Sequence, residues 1–289
     1  MSDPIAGYQI EKDLGPNAWG RAYRARQVSL DRPVYLTLLH PDFESIALAR
    51  ACAALTHPHL VSGIDLGECD RGRYLVQEWA EGPTIGDVVH RGGPVAEERG
   101  TAIALATAHA LDAAARKGIV HGRIDPEAIL ITSGGSPKIR GFGPNRNYAG
   151  TPEDYRAPEQ KAGEATDVRA DIYSLGATLY FALSGRYPFT DAPPAEVVDG
   201  VVIESPHPLG RANRRLHAEL VSLVERMMAW RPDDRFSGAG ALAEEVEKTM
   251  DRIEAQARTE VSRQARPARR ARPARPAGPP RRPRRRRRR

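Results

Sequence analysis

What most constrains the fold of this chain is a change of texture at Gly82. Before it, Tyr8 to Leu14, Arg21 to Val28, Val34 to Leu39, Leu60 to Leu66 and Tyr74 to Glu78 are short apolar or alternating runs. Gly, Pro or Asp separates most of them, which predicts strands. One stretch breaks the habit. Phe43 to Leu55 is Ala-rich without Gly or Pro and reads as a helix. After Gly82 the runs lengthen. Val95 to Lys117, Asp171 to Ser184, Leu216 to Ala229 and Ala239 to Ala257 place apolar residues three and four apart, the helical period. A small β-rich lobe over about residues 8–80, followed by a larger helical lobe to about 255, is an α+β plan.

A second shift comes near Gln256, beyond which Arg, Pro and Ala dominate. Val261 to Arg289 holds 14 arginines and no acidic residue, so the chain's net charge of +6 leaves −8 on residues 1–260. Such a stretch has too few apolar groups to offset its ordering entropy, and residues 256–289 are expected to form a disordered tail. The arginines of 261–289 suit non-specific polyanion binding, to nucleic acid or an anionic membrane. No aromatics are interleaved to stack bases. Its Pro-x-x-P steps also suit a polyproline-binding groove, and contact with the acidic body or no function at all stay open.

Composition removes several classes. The two cysteines, Cys52 and Cys69, are too few for a disulfide framework or a zinc site, which makes a reducing, cytoplasmic setting the expectation. The eight histidines show no metal-like spacing. No basic start with an apolar run opens the sequence, so no signal peptide is expected. The most apolar stretch, Thr101 to Ala115, carries His109 and Asp112 and is too short for a transmembrane segment.

Several motifs follow one another in order. Leu14-Gly-Pro-Asn-Ala-Trp-Gly20 resembles a Gly-rich loop, and Val34-Tyr-Leu-Thr37 stands where V-A-I-K would. His121-Gly-Arg-Ile-Asp-Pro-Glu-Ala128 resembles the loop H-R-D-x-x-x-x-N, and Gly141-Phe142-Gly143 stands in place of Asp-Phe-Gly. Ala157-Pro158-Glu159, Asp171-Ile-Tyr-Ser-Leu-Gly176 and Arg231-Pro-Asp-Asp-Arg235 complete the series. From about Tyr8 to Met250 the chain resembles the bacterial Ser/Thr protein kinases. The resemblance implies a bilobal protein-kinase-like fold.

Its chemistry departs from that family at each position that handles phosphate. Phosphoryl transfer rests on positioning and on neutralising charge. The lysine that would supply a cation is Thr37, and its glutamate partner aligns with Leu48. The metal ligands align with Ala128 and Gly141, which have no side-chain oxygen, and the catalytic base aligns with Arg123, which cannot be deprotonated. Asp125 is two residues from the base position. Gly15 and Gly20 survive from the Gly-rich loop, but the second glycine is Asn17 and the adenine-packing alanine is Tyr35, whose phenol is expected to project into the base pocket. Gln77, Glu78 and Ala80 align with the rear of that pocket and its hinge. The resemblance thus leaves a vestigial nucleotide site, with ATP and Mg²⁺ binding expected to be lost.

The residues that hold such a fold together are kept. By the resemblance, Glu159 and Arg235 form a buried ion pair, Asp171 holds the catalytic-loop backbone, and His121, Phe142 and Cys52 are spine members. Only 13 residues separate Gly143 from Ala157, a short activation segment, and Gly122 replaces the arginine that would clamp a phosphate there. Fold residues kept and chemical groups gone point to a pseudokinase. It would act as a scaffold or allosteric regulator of a protein partner, with an active kinase as the leading candidate. Two alternatives stand beside it: an atypical kinase with weak residual phosphotransfer, and polyanion tethering through the tail.

Overall fold

A five-stranded antiparallel sheet forms one wall of the molecule: β1 (Tyr8–Asn17), β2 (Gly20–Gln27), β3 (Arg32–Leu39), β4 (Gly63–Cys69) and β5 (Gly72–Glu78), in the order β1-β2-β3-β5-β4. The computed structural model describes residues 5, 7–17, 19–41, 46–142, 152–193, 196–198, 201–203 and 205–264. Alternation along β3 sets both faces of the sheet. Val34 and Leu36 pack with Ile5, Tyr8, Ala25, Tyr74 and Val76 on the outer face. Tyr35, Thr37 and Leu39 point the other way, where Leu39 joins Trp19 and Leu75. Helix α1 (Ile46–Ala53) packs on β4 and β5. The backbone of Leu48 lies in α1, but its side chain is outside the described residues.

The helical lobe is built around α5 (Val168–Ser184), in which every residue from Ala170 to Leu183 is buried. A helix apolar on all sides belongs inside a lobe. Two of its polar members bond within the helix: Ser174 Oγ donates to the Ala170 carbonyl and Thr178 Oγ1 to that of Ser174. Around it pack α2 (Ile85–Gly92), α3 (Glu97–Ala115), α6 (Leu209–Ala212), α7 (Ala218–Met227) and α8 (Ala239–Gln264), while α4 (Pro158–Lys161) is a single turn. Two hairpins complete the lobe, β6 (Ile129–Ile131) with β7 (Pro137–Ile139), and β8 (Glu196–Val198) with β9 (Val201–Ile203). The α+β, bilobal plan read from the sequence is the fold.

Backbone bonds and an ion pair join the lobes. Ile139 N donates to the His59 carbonyl at 2.8 Å, and Val61 N to the Ile139 carbonyl at 2.9 Å. Lys138 Nζ contacts both carboxylate oxygens of Glu78 at 2.5 and 2.7 Å. These links carry the floor of the interlobe cleft against the end of β5.

Element boundaries differ from the sequence reading at several places: β4 spans Gly63–Cys69 rather than Leu60 to Leu66, and β1 and α8 both run long. β1 runs three residues past Leu14 to Asn17, because β-bulges at Ile10/Lys12 and Asp13/Gly15 keep it paired with β2. α8 continues to Gln264, nine residues past the boundary expected at 255. Ala, Arg, Gln and Glu favour the helix there, Arg258 pairs with Glu254 four residues back, and Thr259 Oγ1 donates to the Ala255 carbonyl. The three-residue strands β6 and β7 are too brief for a periodic signal, and the helix α2 was not read from the sequence either. Residues 265–289 and 143–151 lie outside the described residues, and with them most of the basic tail and of the short activation segment.

Candidate functional site

A cleft of about 730 Å³ lies between the lobes. Its strand-side wall comes from β1, β3 and β5, and its floor from the loop 121–128, β6 and the residues following β7. It gathers most of the positions marked in the sequence: Tyr35, Gln77, Glu78 and Ala80 on one side, and His121, Arg123, Asp125, Ala128 and Gly141 on the other.

The strand side is held by one carboxamide. Asn17 Oδ1 accepts the backbone N–H groups of Trp19 at 2.8 Å and Gly20 at 3.0 Å. Since only oxygen accepts from N–H, these bonds fix the amide's orientation. Nδ2 therefore faces β3, where it lies 3.3 Å from the Tyr35 hydroxyl and 3.4 Å from Thr37 Oγ1. Thr37 is fully buried. Gly20 cannot be replaced, because a Cβ there would collide with the Leu38 carbonyl. Gly15, with φ of +90°, sits in the same hairpin and gives its N–H to Asp13 Oδ1.

Tyr35, paired with Gln77 across β3 and β5, lines the cleft. Its ring stacks on Trp79, with centroids 6.4 Å apart and planes 25° from parallel, and Arg24 covers the indole at 5.0 Å. The cleft of about 730 Å³ remains beside the phenol. Trp19 folds back, buried with Leu39 and Leu75. Gln77 is buried at the rear, and Glu78 is committed to Lys138.

On the floor, Asp125 turns into its own loop. Its Oδ1 accepts the N–H groups of Glu127 at 2.9 Å and Ala128 at 2.8 Å, the pattern of a turn cap. Burial pushes this carboxyl up, while the two backbone bonds and Arg123 hold it down. Arg123 Nε is 4.0 Å from Asp125 Oδ2. Gly141 has a φ of +97°, a conformation that side-chain-bearing residues rarely adopt. The cleft as a whole is lined by five carboxylates (Glu78, Glu81, Asp87, Asp125 and Glu127) and two guanidinium groups, Arg123 and Arg140. Among the described residues no three His, Cys, Asp or Glu side chains are grouped as a metal would need, and Ala128 and Gly141 do not fit the magnesium ions of phosphoryl transfer.

Behind the floor the supporting residues meet. Asp171 Oδ2 accepts from His121 N at 2.8 Å and Oδ1 from Gly122 N at 2.6 Å. Burial pushes the Asp171 carboxyl up to about 7. His121 Nδ1 accepts from Arg123 N, so the ring proton sits on Nε2 and is given to the Arg140 carbonyl. Its ring meets Phe142 edge-on at 4.5 Å. Cys52 is buried in the same core, and burial raises its thiol to about 11. Glu159 and Arg235 form a two-pronged pair at 2.6 and 2.9 Å, fully buried on the arginine side. Arg235 also donates to the carbonyls of Ala229, Arg169 and Trp230 and covers the Tyr173 ring. The contacts of Asn17, and the capping role of Asp125, were not read from the sequence. Asn-x-Trp-Gly, a turn-forming run, was the available signal for the first.

Residues 43–248 match the family model described as protein kinase domain. The chain is 32% identical over 259 residues to the serine/threonine-protein kinase PknB of Mycolicibacterium smegmatis, covering 81% of this chain and 41% of that protein. It is 33% identical over 267 residues to the serine/threonine-protein kinase pkn2 of Myxococcus xanthus, covering 82% of this chain and 32% of that one. The chain thus spans about two fifths or less of the length of these relatives. Among solved structures, Rad53 1-466 in complex with AMP-PNP superposes with a TM-score of 0.69 at 21% identity, over 82% of this chain and 64% of that one, a likeness of fold.

Proposed function

Given that the chain belongs to the protein kinase domain family, we propose that it is a pseudokinase: a cytoplasmic member that keeps the fold, has lost phosphotransfer and ATP–Mg²⁺ binding, and works by contact with a protein partner. One observation carries the reading. The loop that should present a base presents Arg123, and its nearest carboxylate, Asp125, is spent on the N–H groups of its own turn. A guanidinium cannot accept the proton of a substrate hydroxyl. Thr37, Ala128 and Gly141 support it from three other positions, since Thr37 supplies no cation and Ala128 and Gly141 no side-chain oxygen for a metal. The buried Glu159–Arg235 pair supports a retained structural role, because losing one partner of such a pair costs about 3–5 kcal/mol. The partner proposed is a protein, with an active Ser/Thr kinase as the first to try.

The test is incorporation of labelled phosphate from Mg-ATP or Mn-ATP by the full chain, into itself and a basic protein substrate. No incorporation above a heat-denatured control is expected. Incorporation that disappears in Arg123→Ala or Asp125→Ala would overturn the reading and restore an atypical kinase. A second arm adds the chain to an active Ser/Thr kinase from the same cell, where a change in that kinase's rate is expected.

A further inference from the structure

The two ends of the interlobe cleft differ in what they have left to offer a ligand. At the end under the β1–β2 turn, the backbone N–H groups of Trp19 and Gly20 would be the donors for an anion, since a Gly-rich loop covers phosphates with its backbone. Here both are taken by Asn17 Oδ1, at 2.8 and 3.0 Å. The other half of the same carboxamide spans to β3 and meets Tyr35 and Thr37. An amide inside the protein thus makes the contacts that a phosphate oxygen would make. At the other end the cleft stays open, between Leu14, Tyr35 and Val61 on the strand side and Leu130 below, with Gln77 at the rear. Leu14, Val61 and Leu130 are apolar and Tyr35 adds an aromatic ring, a lining that suits a flat heterocycle.

From this division we infer that Asn17 is a specificity-determining residue: its carboxamide occupies the phosphate end of the cleft, so that the cleft takes an uncharged planar heterocycle of the nucleoside class and rejects the phosphorylated forms. The inference rests on the proposed loss of ATP–Mg²⁺ use and deepens it. Charge works in the same direction. With Glu78 paired to Lys138 and Asp87 to Arg91, the lining keeps Glu81, Asp125 and Glu127 against Arg123 and Arg140, a slight negative surplus that disfavours a di- or triphosphate and leaves a neutral ring unaffected.

The experiment is isothermal titration calorimetry of the full chain with adenosine, AMP and ATP, each with and without Mg²⁺. Adenosine is expected to bind at least tenfold more tightly than AMP or ATP, with no effect of the metal. Asn17→Gly releases the two N–H groups and should shrink that ratio to below threefold. Asn17→Asp still caps the turn while adding a negative charge, and should keep or widen the ratio. A role confined to shaping the turn would leave the ratio unchanged in all three proteins. That result overturns the inference, as does adenosine failing to bind or ATP binding as tightly as adenosine to the unaltered chain. Hydrogen exchange supplies an independent reading: the Trp19 and Gly20 amides should be protected, and should lose protection at least tenfold in Asn17→Gly. Calorimetry reports binding and not transfer, so the inference can fail while the absence of phosphate incorporation stands.

Discussion

Gly141 holds a backbone conformation that favours glycine. At φ of +97° an added Cβ finds room, since the nearest atom is His121 Nε2 at 3.6 Å, but the conformation itself is strained for any L-residue. Gly141→Asp is therefore expected to cost about 1–2 kcal/mol of stability in urea unfolding. Gly141→Ala should cost a similar amount, because the strain lies in the backbone. Arg235 makes five polar bonds, two to Glu159 and three to carbonyls, and a lysine can reproduce only some of them. Arg235→Lys should lose about 3–5 kcal/mol, measured the same way. His121 and Asp171 pull the pH profile in opposite directions. Burial takes His121 down to about 4 from 6.5, so the folded chain binds fewer protons there and gains stability as pH rises through that window. Asp171 goes up to about 7 from 3.8, so the folded chain binds more protons and loses stability as pH rises. The two nearly cancel between pH 4 and 6.5. In His121→Phe the opposing contribution of His121 is removed, and the urea midpoint should fall relative to that of the unaltered chain as pH rises from about 4 to 6.5.

Among the elements, α8 divides into a structural part and an extension. Leu242, Ala243, Val246 and Thr249 are buried and Met250 and Ile253 pack on the core, whereas residues 254–259 are exposed. Leu242→Ala should cost about 2–5 kcal/mol. Ending the chain after Gln256 should move the thermal midpoint by less than about 2 °C relative to ending it after Gln264, since almost no apolar area changes hands. Elements of this kind mark what could be read in advance. The five strands, α1, α3, α5, α7 and the start of α8 were legible because a period of two or 3.6 repeats often enough to be seen. Elements of three or four residues, such as β6, β7 and α4, are set by the bridge from Thr84 to Leu130, by the pairing of β6 with β7 and by the Gln160 bond to Ala157 N, none of which leaves a local pattern. For the site, residue identities at Thr37, Arg123, Ala128 and Gly141 told which groups were missing. They could not tell where Tyr35, Asp125 and Asn17 would aim, because each aim depends on register or on a backbone N–H brought near by the turn.

The whole molecule is a charge-divided chain, −8 over residues 1–260 and 14 arginines beyond. The 289-residue chain should be retained on an anionic vesicle or a nucleic acid column at about 50 mM salt and release by several hundred millimolar, as counterion-driven binding does. A chain ending at Gln264 should flow through. Among the described residues no helix is long and apolar enough to cross a membrane. The joint between the lobes carries a further consequence. Lys138 bridges Glu78, and His59 and Val61 share both backbone groups of Ile139, so the angle between sheet and helices is set by the fold itself. Each tie already made within the chain is one that docking need not form: in the proposed complex, more of the contact energy would go into holding the pair together than into stilling this joint.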